Sequence, residues 1–253
     1  MSGFSIDWLN LRETADLRAR DHDMLRMAWQ WLRSSDAGGP DIVVDLGAGT
    51  GSTLRAFAFV AAERLQQPEK TVLKAAQHDT VWRLVDHDTA LLAEAKRRHG
   101  TDHQITTHHA DLLHPAALPL QDARIITASA LFDLVSTQVI NELVTAIAAQ
   151  DNSTGFYAAL NYDGITRWTP EHPLDAEVLR AFNEDQRRDK GMGPALGPDS
   201  SGYLSDVFQQ AGFQVSMAES PWLLDDDDEL LVTELIKGIY DAVRNDPALD
   251  SSS

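Results

Sequence analysis

The chain has 253 residues, 43% of them hydrophobic and 24% charged, with no cysteine and a formal net charge of -18. That length can bury a full core. The missing cysteine excludes disulfides, thiolate metal ligands and cysteine nucleophiles, and the negative field opposes binding to phosphate backbones. No apolar run reaches the roughly 18 residues of a membrane span, and the opening "MSGFSIDWLNLRETADLRARD" lacks the basic and then apolar order of a signal peptide. A cytoplasmic protein without nucleic-acid or membrane partners is expected.

Along the chain, residues 8 to 33 carry apolar side chains three or four apart, from Leu11 and Ala15 to Trp29 and Leu32, as in an amphipathic helix or helix pair. "SSDAGGP" breaks that pattern, "DIVVDLG" reads as a buried strand, and "STLRAFAFVAAERLQQ" returns to helical spacing. "VWRLVD" predicts a second strand, and "TALLAEAKRRHG" a helix stopped by basic residues and Gly100. "QITTHHAD" and "ARIITASALF" supply a third and a fourth strand. "STQVINELVTAIAAQ" predicts a helix capped by Ser136, and "GFYAALNYDG" a fifth strand. This alternation implies α/β architecture: a doubly wound, mostly parallel sheet with helices on both faces, an N-terminal helical segment and an insertion after the fifth strand.

One domain over 1–253 is expected: a helical cap to residue 40, a core over 41–163, a substrate or lid insertion over 164–202, and a C-terminal strand and helix over 203–253. In the insertion, "GMGPALGPDSSG" reads either as a lid or as a plain surface loop. "FQVSMAES" predicts a sixth strand. The "DDDD" run before the last helix suits the positive end of its dipole and reads as a solvated cap.

In "VVDLGAGTG" three glycines stand between a strand and a helix, where backbone can touch a ligand. A dinucleotide fingerprint would place its third glycine at Ser52, and a carboxylate at Asp45 beside a pyrophosphate would add repulsion. Next to an ammonium group Asp45 would attract.

These residues resemble the first motif of the class I S-adenosylmethionine-dependent methyltransferases. "LVDHD" is similar to the second motif and "HADLL" to the adenine-binding segment; "ITASALFDLV" occupies the place of the fourth. The resemblance covers about residues 41 to 163. It implies S-adenosylmethionine as cofactor, held by Asp45 at its amino group, by the turn Gly47, Ala48, Gly49 and Gly51, by Asp86 at the ribose, with His87 on the adenosine side, and by Asp111 with Leu112 at the adenine. Ser129 joins this set, and Arg20 pairs with the cofactor carboxylate if the N-terminal helix folds over the site. Two features depart from the family: a long gap between Gly51 and Asp86, filled by "QQPEKTVLKAAQHDT", and a single strand after the insertion where the family ends in a hairpin.

Methyl transfer from a sulfonium is an in-line displacement that needs alignment and exclusion of water, with a base only where the acceptor loses a proton. The acceptor site is expected beyond the fourth and fifth strands, with Asp133, Tyr162 and Asp163 as candidate catalytic residues and a small or medium-sized polar molecule as partner. Ser129 stands where amino- and amide-directed relatives carry Asn or Asp before two prolines, so that class loses support. Seven of the nine histidines fall between His78 and His114, but their spacing straddles a helix end, a loop and a strand, and no metal is expected. A non-catalytic module that binds the same cofactor is the alternative; a nicotinamide-dependent oxidoreductase is disfavoured by Asp45 and Ser52.

Overall fold

A computed structural model describes residues 4–34, 39–64, 80–150 and 154–250. Of the segment "QQPEKTVLKAAQHDT", all but Thr80 lies outside the described residues. Five parallel strands form one sheet in the order β3-β2-β1-β4-β5: β1 Asp41–Leu46, β2 Thr80–Asp86, β3 Gln104–His109, β4 Ile125–Ser129 and β5 Gly155–Ala159. The order reverses between β1 and β4. At such a switch point the connections leave in opposite directions and open a crevice beyond the carboxyl ends of the strands.

β1, β2 and β4 form where β-branched and apolar residues fill both faces, as a sheet covered on both sides requires, whereas the edge strand β3, QITTHH, is largely exposed. Val44 and Leu46 of β1 join Ile126 and Ala128 of β4 in a core under helices α5 (Thr137–Ala148) and α7 (Ser200–Gln210). Val43, Trp82, Leu84 and Ile125 point the other way. They pack under α2 (His22–Arg33), α3 (Ser52–Arg64) and α4 (Thr89–His99). Asp45 follows the direction of Val43, so its register beside Leu84 and Thr127 puts a carboxylate into that second layer at the mouth of the crevice. No helix among the described residues is long and apolar enough to cross a membrane.

The N-terminal pattern resolves into two helices, α1 (Ile6–Ala19) and α2. Asp21 caps the second by accepting from Met24 N at 2.8 Å. Arg20 therefore sits between helices in an extended conformation and turns its side chain inward, 2% exposed.

Three segments beyond β5 differ from simple expectation. The glycine-rich stretch is packed down: Met192, Ala195 and Gly197 are buried, and Leu196 N donates to Val135 O at 2.9 Å. A third, small cluster joins α6 (Asp175–Gln186) to α8 (Glu229–Val243) through Ala181, Ile239 and Val243. The sixth strand expected at "FQVSMAES" does not form. Phe213 and Val215 turn into the core, but the segment makes no ladder with β5, and an open groove of about 1730 Å³ runs between β5 and residues 211–222. In the acidic run, Asp225 and Asp228 make a capping box, and Asp228 is buried and paired with Arg18 at 2.5 Å.

Candidate active site

Gly47, Gly49 and Gly51 have φ of 62°, 53° and 87°, a region that L side chains rarely adopt, so glycine lets the turn after β1 close without strain at these positions. Gly49 N donates to Asp86 Oδ2 at 2.9 Å, which ties the turn to the end of β2. The other Asp86 oxygen accepts from Asp88 N at 2.9 Å. Behind the turn, His99 Nε2 lies 3.1 Å from Thr50 O and 2.9 Å from Arg55 Nη1, and Arg55 pairs with Glu13 of α1. Burial first, and the Arg55 charge second, hold the His99 pKa below the usual histidine value. A neutral ring thus backs the glycines, and a Cβ on Gly51 would come within 3.0 Å of it.

A buried polar network crosses the switch point. Asp45, 1% exposed, accepts through Oδ1 from the Thr127 hydroxyl at 2.8 Å. Thr53, in the first turn of α3, lies 3.1 Å from Ser129 Oγ, and Arg20 Nη2 donates to Ser129 Oγ at 2.9 Å. Burial raises the Asp45 pKa to about 6, partly offset by Thr127 and by the Arg20 charge. Asp45 Oδ2 and the Nε and Nη1 of Arg20 are buried without a partner. Buried charged groups seldom go unpaired, because desolvation costs several kcal/mol, of order 3–5 when a partner is missing. Two opposite charges with unused valences thus share one crevice.

Helix α1 covers this crevice. Leu9 Cδ1 stands 3.2 Å from where a Cβ on Gly49 would be. Polar contacts on both flanks fasten the helix. On one flank Asn10 accepts from Arg98 at 2.8 Å and Glu13 pairs with Arg55. On the other, Trp222 Nε1 donates to Asp16 at 3.0 Å, Arg12 lies 4.9 Å over the Trp222 ring, and Arg18 holds Asp228.

A search of family models finds no match to the sequence, and neither does a search of curated proteins. Solved structures do match. The cyclopropane synthase MmaA2 from Mycobacterium tuberculosis aligns at a TM-score of 0.53 and 13% identity over 85% of this chain and 73% of that one. YjhP from E. coli aligns at 0.50 and 14% over 95% and 85%. Human N-acetylserotonin methyltransferase, solved with SAM, aligns at 0.45 and 12% over 81% of this chain, which spans 47% of that protein's length. The chain has the class I S-adenosylmethionine-dependent methyltransferase fold. In this methyltransferase fold the glycine turn, Asp45, Asp86, Ser129 and Arg20 converge on the crevice.

The remaining predicted residues scatter around it. His87 is exposed, with Nδ1 3.3 Å from Asp86 Oδ1. Asp111 is exposed and closes a turn by accepting from Leu113 N at 2.9 Å, beside half-buried Leu112. Asp133 follows β4 on a short 3₁₀ turn, Phe132–Leu134; it is 9% exposed, its Oδ1 is buried without a partner, and burial pushes its pKa up to about 6. Tyr162 donates its hydroxyl to Asn183 at 2.7 Å and rests its ring against Phe182. That hydroxyl positions α6. Asp163 points to solvent and accepts from Ile165 N at 2.9 Å, as a turn residue does. Thr53, Thr127, Leu9 and Trp222, which join or cover the crevice, carry no site motif in the sequence. Thr127 had one local signal, a hydroxyl inside an apolar strand, whereas Trp222 reaches α1 across 206 positions, through tertiary closure alone.

Proposed function

We propose that this protein is a methyltransferase that binds S-adenosylmethionine in the crevice and transfers its methyl group to a small or medium-sized polar acceptor. The observation that carries this reading is the pair of buried, partnerless valences on Asp45 and Arg20. An α-amino acid supplies an ammonium group for Asp45 and a carboxylate for the Arg20 fork, a charge-assisted match of the strongest kind. Asp86, which already accepts from two backbone N–H groups, retains acceptor capacity for ribose hydroxyls. The bound cofactor supplies a sulfonium carbon open to in-line attack. The chain's own contribution is to hold and orient: the glycine turn admits the ligand to the backbone, the Thr127–Asp45 bond fixes the carboxylate, Ser129 aims Arg20, and α1 excludes water.

Calorimetry with S-adenosylmethionine, S-adenosylhomocysteine and NAD tests the reading. Micromolar binding of the first two and none of the third is expected, and Asp45→Ala and Arg20→Ala should each weaken binding by about tenfold or more, in line with ~1.5–3 kcal/mol for a hydrogen bond to a charged group. Binding of NAD alone would refute it. Formation of S-adenosylhomocysteine with an acceptor separates an enzyme from a module that only binds.

A further inference from the structure

Of the buried polar atoms outside the cofactor crevice that lack a hydrogen-bond partner, two line one groove and are complementary in sense. Asp133 Oδ1 is an acceptor and Trp8 Nε1 a donor. Both residues line the groove that continues past Asn161, Tyr162 and Trp222. Trp8 stands one helical turn before Arg12 on the same face of α1. Arg12 lines the same groove, so this face of α1 and Asp133 border one space. Arg12 itself is engaged by Asp16 at 2.7 Å and by the Trp222 ring, so it does not neutralise Asp133 outright.

Resting on the cofactor reading above, we propose that Asp133 and Trp8 form the acceptor subsite and that it takes a neutral hydroxyl on an aromatic or similarly apolar body. A hydroxyl is the smallest group that serves both atoms: its O–H donates to Asp133, and one oxygen lone pair accepts from the Trp8 indole. The second lone pair remains for the methyl carbon. A neutral amine has a single lone pair, which the Trp8 N–H would occupy. A carboxylate acceptor would meet a second buried negative charge. In the transfer, the oxygen–carbon bond forms as the carbon–sulfur bond breaks with its electron pair passing to sulfur, and the hydroxyl proton passes to Asp133. Alcohols and phenols need such a base more than amines do, which gives the partnerless oxygen of this buried carboxylate a role. Trp8, Tyr162 and Trp222 supply apolar surface for the rest of the molecule.

The test uses the full-length chain saturated with S-adenosylhomocysteine and follows the indole N–H signals by NMR, with Trp8 assigned through Trp8→Phe. The probes are phenol, anisole, aniline and benzoate. Phenol should bind and move the Trp8 signal, anisole should bind about tenfold or more weakly because its ether oxygen can accept from Trp8 but brings no donor to the buried Asp133 oxygen, and aniline and benzoate should also be weaker. Asp133→Ala should reduce phenol binding by about tenfold while leaving S-adenosylhomocysteine binding intact, and Asp133→Asn guards against a folding defect in the alanine variant. Equal binding of phenol and anisole, a Trp8 signal that does not move, preference for aniline or benzoate, or no probe binding at all would each overturn the proposal. Failure to bind S-adenosylhomocysteine in the first place would instead strike the cofactor reading.

Discussion

In the proposed site, Asp45 couples the stability of the fold to the binding of the ligand. Desolvation raises its pKa from 3.8 to about 6, so the folded state without cofactor holds a proton that the unfolded chain has released. A raised carboxylate contributes stability that is full below the unfolded pKa and is lost as pH rises through the folded one. The stability of the cofactor-free protein should therefore fall between about pH 4 and pH 6, by about 3 kcal/mol from this residue at 1.36 kcal/mol per pK unit. Asp133, raised to about 6 by the same cause, acts in the same direction. Asp45→Asn removes one of the two contributions, so urea midpoints across this range should flatten in the variant relative to the parent; identical slopes would show that the carboxylate is not desolvated. With ligand the sign reverses. An ammonium partner favours the ionised carboxylate, so affinity for S-adenosylhomocysteine should weaken as pH falls below about 6 in the parent and stay level in Asp45→Asn, as read by calorimetry.

Helix α1 packs only a few apolar residues inward, with Ala15 and Ala19 its buried apolar positions, so its place over the glycine turn depends on contacts at its flanks. Surface ion pairs contribute only about 0–1 kcal/mol each. Trp222 combines a cation–π contact with a hydrogen bond to buried Asp16, together worth about 1–2 kcal/mol. Trp222→Ala should speed amide exchange across residues 6–19 about tenfold and quicken release of S-adenosylhomocysteine, while Arg26→Ala, which removes the exposed pairing with Asp23, should leave both unchanged. Exchange as slow in Trp222→Ala as in the parent would mean that other contacts hold the helix. The same contrast explains what the sequence discloses. β1, β2, β4 and the helices between them announce themselves because a covered parallel sheet demands continuous apolar runs, and Asp45 stands out as an acid inside such a run. "FQVSMAES" carries a similar local pattern but finds no neighbouring strand, and pairing is a property of the partner as much as of the segment. Arg20 was readable only as a condition on where α1 would fold, and the link from Trp222 to Asp16 has no local signature.

At the scale of the whole molecule, the charge of -18 and the local Asp45–Arg20 pair can be told apart by salt. S-adenosylmethionine carries a sulfonium and is a net cation; S-adenosylhomocysteine lacks that charge and is a net zwitterion. In the proposed site both present the same α-amino acid group to Asp45 and Arg20, so that local term cancels in the ratio of their affinities. What remains is the interaction of one positive charge with the field of the protein. The Debye length shrinks from roughly 30 Å at 0.01 M salt to roughly 3 Å at 1 M, while a domain of this length has a radius of gyration of about 18 Å. At low salt the sulfonium therefore interacts with most of the net charge, and at high salt only with its nearest neighbours. Calorimetric titrations across that range should show affinity for S-adenosylmethionine falling several-fold relative to S-adenosylhomocysteine, and Asp45→Asn should keep that relative salt dependence while losing absolute affinity for both. If the two affinities moved in parallel with salt, the acidity of this chain would serve solubility alone and the preference for the charged cofactor would have to reside within the crevice.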